Sequence, residues 1–130
     1  MDASRTSDII ARDLLAAVGE VMLHWGFLES AMLGGLAGSS RTPIVQRWLT
    51  TTEPSSEIVD EIKDAAAVRH LLAHGLCGVH AQPRHGGEAE VVCRDPDDML
   101  TTITLGRLRQ VAQSLDRIRL RIEARHRSAP

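Results

Sequence analysis

Apolar residues recur every three or four positions along the first third of the chain, which is the spacing of one face of an α-helix. Thr6 and Ser7 suit the N-cap of such a helix, and Gly34 with Gly35 would end it. We therefore predict a long first helix over residues 8–37. Its inner stripe comprises Ile10, Leu14, Val18, Val21, Met22, Trp25, Leu28, Met32 and Leu36.

Two further helical segments follow the first. Residues 43–50 begin with a proline after a threonine, a pairing typical of a helix start, and predict a short second helix. A third helix is predicted from a cap at Ser55 or Ser56 to about His74, where Gly75 stops it. Its apolar stripe comprises Ile58, Ile62, Ala65, Ala66, Leu72 and, at its end, Leu76.

The period changes over residues 76–94, where LCGVHAQ and EAEVVCR flank the turn-forming segment PRHGG. This pattern predicts a β-hairpin. If the hairpin folds symmetrically about His85, Cys77 and Cys93 face each other, and a reducing compartment would keep them as thiols. Residues 99–104 follow a DPDD turn and are consistent with a short extended segment.

A last helix is predicted from Leu105 to about Arg125, with Thr104 as its cap and a fraying tail from His126. Its inner stripe comprises Leu105, Leu108, Val111, Ala112, Leu115, Ile118 and Ile122. The sum is a mainly α fold: an antiparallel bundle of about four helices, with a small β-hairpin inserted before the last one. A length of 130 residues suits a single domain, residues 1–130.

Composition and charge limit the cellular compartment and the kinds of ligand that the sequence predicts. The chain is 43% hydrophobic and 25% charged, it has no apolar run long enough to span a membrane, and no secretory signal is visible, so we expect a cytoplasmic protein. Its net charge of −2 argues against indiscriminate nucleic-acid binding, although seven arginines and two acids lie from residue 104 onward. One Phe and two Trp are too few for a stacking platform.

The segment AVRHLLAHGLC carries the candidate chemistry. The stripe of the third helix places Arg69 on its apolar side, where a charge needs a partner because an unpaired buried charge costs several kcal/mol. Glu29 falls within the stripe of the first helix, so one prediction is that Glu29 and Arg69 meet between the helices. The other is that Arg69 extends to the rim and Glu29 lies at the edge of its stripe.

His70 and His74 are four positions apart and therefore share a helix face, whereas Arg69 and His74 lie about 140° apart on an ideal helix. Three interpretations compete. The first is a polar helix end, where the helix dipole favours imidazolium. The second is a metal site using His70, His74, Cys77 and His80, although this spacing matches no standard zinc motif. The third is acid–base chemistry on a phosphate held by arginine.

At these residues the chain resembles the HEPN superfamily, small helical-bundle proteins with an R-x(4–6)-H motif. The motif is Arg69 to His74, with His70 in the polar position, and RHLLAHG is close to a frequent family form. HWGFLESAM is similar to the first-helix wording of these proteins, and TLGRLRQVAQSLDRI resembles their last helix. The resemblance extends from about Glu20 to Ile122.

The resemblance implies a homodimer with metal-independent endoribonuclease activity, without a cofactor or metal. Carried over, His74 transfers protons, Arg69 binds the RNA phosphate, His70 orients the site or contacts RNA, and Glu29 holds Arg69. Many active members are toxins or defence proteins with a neutralising antitoxin protein, and none of this requires a membrane. The alternative is a catalytically inactive HEPN-like binding or regulatory module that docks a protein or a nucleotide.

Overall fold

The structure of the chain is a computed structural model that describes residues 3–82 and 87–128. The described residues form four helices and three strands, so the fold is mainly helical with a small sheet before the last helix, as predicted. None of these helices is long and apolar enough to cross a lipid bilayer. In chain order the elements are α1 (Ala3–Leu33), α2 (Ile44–Thr52), α3 (Ser56–His74), β1 (Leu76–His80), β2 (Glu90–Arg94), β3 (Leu100–Thr104) and α4 (Leu105–Ser128).

The two long helices α1 and α4 form the main helix pair of the bundle. Each buries most of the apolar stripe that its sequence predicts, although Leu36 lies beyond the end of α1 and Ile10, Val18 and Met22 are half-buried. Burial of a large apolar side chain stabilises the fold by about 1.5–3 kcal/mol. The helix α3 and the inner face of the sheet close the same core. Its fully or almost fully buried members include Leu14, Val21, Leu28, Met32, Ile62, Val91, Cys93, Leu108, Leu115 and Ile118.

Two predicted helix starts are wrong. Helix α1 begins at Ala3, so Thr6 and Ser7 lie inside it, because nothing in the preceding residues excludes helix and a cap preference of about 1 kcal/mol does not impose a start. Helix α1 also ends at Leu33, before the predicted residue 37. Pro43 has extended angles, φ −54° and ψ 143°, and occupies the N-cap position, so α2 begins one residue later.

The other two caps are confirmed. The hydroxyl of Ser55 accepts a hydrogen bond from the backbone N–H of Ile58 at 3.4 Å, at the start of α3. The hydroxyl of Thr104 accepts one from the N–H of Arg107 at 3.1 Å, at the start of α4. The fraying expected from His126 is wrong for residues 126–128, which are helical; residues 129–130 lie outside the described part.

The insertion has three antiparallel strands in the order β1-β2-β3, one more than the predicted hairpin. Cys93 pairs with Leu76 on one side and with Thr101 on the other. A bulge at Cys77 breaks the register, so the predicted facing of Cys77 and Cys93 is wrong. The predicted turn centre, including His85, falls within residues 83–86, outside the described residues.

Candidate functional site

The two motif histidines lie side by side at the carboxyl end of α3. The ring centroids of His70 and His74 are 4.7 Å apart, the ring planes are tilted by 52°, and both residues are exposed. The helix remains intact through His74, because the N–H of Gly75 donates to the carbonyl of Leu71 at 2.8 Å. The predicted shared face is therefore present, and both imidazoles are accessible to a ligand.

A small pocket of about 170 Å³ opens beside these histidines. Its position depends on a close contact between α3 and the sheet: the N–H of Arg94 donates to the carbonyl of Gly75 at 2.8 Å. A Cβ atom at Gly75 would collide with the carbonyl oxygen of Arg94, so only glycine allows this approach. The pocket is lined by His70, Leu71, His74, Gly75, Arg94, Asp95 and Pro96.

The end of β2 and the turn after it line the side of the pocket that faces α3, through Arg94, Asp95 and Pro96. One carboxylate oxygen of Asp95 accepts hydrogen bonds from the N–H groups of Asp97 and Met99, both at 2.9 Å. Nη1 of Arg94 donates to the carbonyl and the carboxylate of Asp98, at 3.2 and 3.3 Å. Sequence reasoning missed Arg94, because only its long-range backbone pairing with Gly75 brings it next to the motif. The DPDD segment predicts a turn after Arg94, but it does not indicate that this turn lies beside the histidines.

Arg69 lies on a different flank of α3, against α1. Its guanidinium carbon is 6.0 Å from the ring centroid of Trp25, and its Nε atom is buried without a hydrogen-bond partner. Within the described residues no ion pair or hydrogen bond joins it to Glu29, so the predicted Glu29–Arg69 pair is wrong. The reason is that Trp25, one turn earlier on α1, occupies the position facing Arg69, while Glu29 stays half-buried.

Arg69 and His74 therefore do not line one pocket within a single chain. Because α3 is continuous, their five-residue separation turns them about 140° apart, as the sequence predicted. Arg69 faces Trp25, whereas His74 faces the pocket beside Arg94. Any chemistry that needs both side chains at one phosphate requires a second copy of the chain or a movement of Arg69.

The proposed metal ligands do not converge. Within residues 3–82 and 87–128 no group of three or more His, Cys, Asp or Glu side chains could hold a metal ion. Nδ1 of His80 lies 3.3 Å from the carboxylate of Glu90, and the sulfur of Cys77 lies 3.5 Å from the carbonyl of Val92. Cys77 and Cys93 are free thiols, and burial together with nearby Cys77 raises the pKa of Cys93.

A second polar cluster lies between α1 and α4, which we call the Arg119 cluster: His24, Phe27, Asp116, Arg119 and Glu123. Arg119 donates to Asp116 at 2.6 Å and to both oxygens of Glu123 at 3.0 Å, and its guanidinium carbon is 5.8 Å from the ring centroid of Phe27. The hydrogen bond from Arg119 holds the pKa of Asp116 below its usual value. The spacing of three and four residues is the sequence signal that predicts such pairs on α4.

The basic end of the chain is partly neutralised by α3. Arg107 pairs with Asp64, and Arg117 pairs with Glu61 at 2.7 Å. These pairs join α4 to α3, and Arg119 pairs within α4, so three of the seven arginines from residue 104 onward are paired with carboxylates. The basic character of α4 therefore does not amount to a continuous surface for nucleic acid.

Comparison with protein-family models, curated proteins and solved structures finds no match to this chain. The resemblance to HEPN proteins rests on the motif and on the order of the helices, and it stays a prediction.

Proposed function

We propose that this chain is a HEPN-like, metal-independent endoribonuclease in which Arg69 and His74 act across the cleft of a homodimer. The observation that carries the proposal is the pair of exposed imidazoles, 4.7 Å apart, beside a pocket at a helix end. Imidazole exchanges protons near neutral pH, and a positioned acid or base contributes about 10²–10⁴-fold to a rate. This pair is the strongest acid–base candidate in the described part of the chain.

The reaction requires no external nucleophile. The 2′-oxygen of a ribose attacks the adjacent phosphorus, and His74 accepts the proton of the 2′-hydroxyl. The bond from phosphorus to the 5′-oxygen breaks, and the leaving oxygen takes a proton from water or from a second imidazole. The products are a 2′,3′-cyclic phosphate and a 5′-hydroxyl, Arg69 stabilises the added negative charge on the phosphate oxygens, and His70 orients the RNA.

The homodimer is part of the proposal because Arg69 and His74 point to different flanks of α3. Two copies related by a two-fold axis would present the same pair of residues to a shared cleft. Leu23 and Phe27 of α1 are 55% and 44% exposed, and such apolar side chains are suited to an interface between copies. The same resemblance suggests a toxin or defence component that an antitoxin protein neutralises.

A second function is favoured by the position of Arg69. Its guanidinium packs on Trp25 and its Nε is buried, which suits an arginine that stabilises helix packing rather than one that binds phosphate. In this alternative the chain is a catalytically inactive HEPN-like module that docks a protein or a nucleotide. Expression in cells separates the two: growth arrest that His74→Ala relieves supports the ribonuclease, and harmless expression of the folded wild type supports the module.

The direct test is cleavage of a mixed RNA pool by the purified protein in EDTA. We expect the wild type to cleave and to leave cyclic-phosphate ends, and both Arg69→Ala and His74→Ala to lose activity. His80→Ala is the matched control, because His80 is an exposed histidine outside the pocket and should retain full activity. No cleavage by a folded wild-type dimer, or equal activity in all variants, would overturn the proposal.

A further inference from the structure

The pocket beside the histidines is built by two separate parts of the fold. Helix α3 supplies His70, Leu71 and His74, and strand β2 with its following turn supplies Arg94 and Asp95. The hydrogen bond from Arg94 to the carbonyl of Gly75 fixes the two parts against each other. Arg94 and the two histidines therefore line one small cavity within a single chain, independently of Arg69.

Arg94 retains hydrogen-bonding capacity toward that cavity. A guanidinium has five N–H donors, and in the structure the guanidinium of Arg94 donates hydrogen bonds through Nη1 alone, both to Asp98. The carboxylate of Asp98 is 82% exposed, so this ion pair is screened by water and is weak. It leaves Nε and Nη2 of Arg94 able to bind an acceptor oxygen.

The size and charge of the pocket limit what it can bind. A volume of about 170 Å³ lies below the roughly 300 Å³ at which sites for larger ligands begin, and it suits one phosphate with its ribose. Asp95 lines the pocket, and Asp97 and Asp98 follow it closely along the chain, so their charges oppose the binding of several phosphates at once. One carboxylate oxygen of Asp95 is already occupied by two backbone N–H groups, which leaves it less able to compete for Arg94.

We infer that Arg94 is a substrate-binding residue, which together with His70 and His74 holds a single phosphate of single-stranded RNA in this pocket. The inference rests on the proposed ribonuclease function for the identity of the ligand. It assigns the phosphate contact within one chain to the inserted sheet, an element outside the Arg69–His74 motif. Arg94 binds bidentately through its remaining donors, and the imidazoles complete the contact.

The test follows the imidazole carbon-bound protons of His70 and His74 by NMR, so it does not depend on catalysis. The ligands are inorganic phosphate and an all-deoxy oligonucleotide, which lacks the attacking hydroxyl. We expect saturable shifts of both histidines with each ligand, and about tenfold weaker binding in Arg94→Gln. Arg41→Gln is the matched control, since Arg41 is an exposed arginine outside the pocket and should bind as the wild type does.

A second variant tests the geometry in the opposite direction. Asp98→Asn removes the competing charge from Arg94, and asparagine accepts the left-handed backbone at this position, where φ is 65°. We expect tighter oligonucleotide binding, by about two- to threefold. When the logarithm of the binding constant for the oligonucleotide is plotted against the logarithm of the salt concentration, the slope should be smaller in magnitude by about 0.7 in Arg94→Gln. This is the contribution of one phosphate on a single strand.

The outcomes separate this inference from the proposed function. RNA cleavage by the wild type with oligonucleotide binding unchanged in Arg94→Gln overturns the role of Arg94 and leaves the ribonuclease standing. Arg94-dependent binding of the oligonucleotide without RNA cleavage overturns the ribonuclease and supports the phosphate subsite. Absence of saturable shifts in the folded wild type, or shifts with inorganic phosphate alone, overturns the RNA phosphate subsite.

Discussion

Two arginines lie against neighbouring aromatic residues of α1, and their surroundings differ sharply. Arg119 is 5.8 Å from the ring centroid of Phe27 and donates hydrogen bonds to Asp116 and Glu123. Arg69 is 6.0 Å from the ring centroid of Trp25 and has no carboxylate partner among the described residues, while the Nε atom is buried without a hydrogen-bond partner in both arginines. The cation–π contacts are similar, so the difference lies in the carboxylates, which one arginine has and the other lacks.

This difference indicates what each arginine contributes. Carboxylates largely satisfy Arg119, so its contacts join α1 to α4 and stabilise the bundle. Arg69 has no carboxylate partner among the described residues, and a half-buried guanidinium without one lowers stability unless it serves another contact. Under the proposed function that contact is a phosphate, which would be bound by the terminal nitrogens of Arg69, since its Nε is buried.

The largest effect on stability should come from truncating Trp25, the aromatic residue against which Arg69 packs. Trp25 is 7% exposed and belongs to the core, so Trp25→Ala should lower the free energy of unfolding by about 3–5 kcal/mol. Phe27 is 44% exposed, and Phe27→Ala should cost less than about 1 kcal/mol. Urea unfolding followed by circular dichroism measures both. Equal losses of unfolding free energy in the two variants would show that Trp25 and Phe27 contribute equally to stability, and would contradict the difference drawn between the two arginine sites.

A smaller effect should separate the arginines themselves. Arg119→Met removes hydrogen bonds to two carboxylates and should lower the free energy of unfolding by about 1 kcal/mol, allowing for solvent screening. Arg69→Met fills a similar volume and breaks no ion pair among the described residues, so stability should stay within about 0.5 kcal/mol of the wild type or rise. Urea unfolding of the two variants under the same conditions measures this difference. A larger loss of unfolding free energy in Arg69→Met than in Arg119→Met would show that Arg69, rather than Arg119, stabilises the bundle.

The smallest effect is a dependence on pH at the Arg119 cluster. The hydrogen bond from Arg119 lowers the pKa of Asp116, and burial opposes it only in part. The ionised carboxylate therefore stabilises the fold above the unfolded pKa of about 3.9, and this contribution is lost as pH falls through the lower folded pKa. Asp116→Asn should destabilise the protein at pH 6 and differ less from the wild type as the pH falls below about 4.

Unfolding curves of both proteins across this pH range provide the measurement for Asp116. A constant difference between the two at every pH would show that its charge plays no part in the cluster. Arg69→Met serves as the control, because Arg69 has no carboxylate partner among the described residues and its effect should not vary over the same range.

The sequence predicted the features that depend on local spacing. Most of the stripes of α1, α3 and α4, the caps at Ser55 and Thr104, and the shared face of His70 and His74 follow from helical period and capping chemistry alone. Leu76, which the sequence pattern places at the end of the stripe of α3, instead lies exposed in β1. The same period placed Arg69 on the inner side of α3, toward α1. In each case the deciding interactions are three or four residues apart, within the reach of a local pattern.

Features that depend on distant contacts were missed. Trp25 and Glu29 both lie on the inner stripe of α1, and the way in which α1 and α3 cross determines that Arg69 contacts Trp25 rather than Glu29. The bulge at Cys77 and the close approach of Arg94 to Gly75 likewise depend on how β2 pairs across the chain. No local periodicity encodes these choices, so Arg94 could not be assigned to the site beforehand.

The central claim is that the motif of α3 is a metal-free ribonuclease site while the Arg119 cluster stabilises the bundle. The most direct test compares RNA cleavage in EDTA by the wild type, Arg69→Gln and Arg119→Gln, with product ends identified by mass spectrometry. We predict cyclic-phosphate products, a loss of about 10²–10³-fold in Arg69→Gln, and near-wild-type rates in folded Arg119→Gln. Equal rates in both variants, or no cleavage by the wild type, would contradict the account.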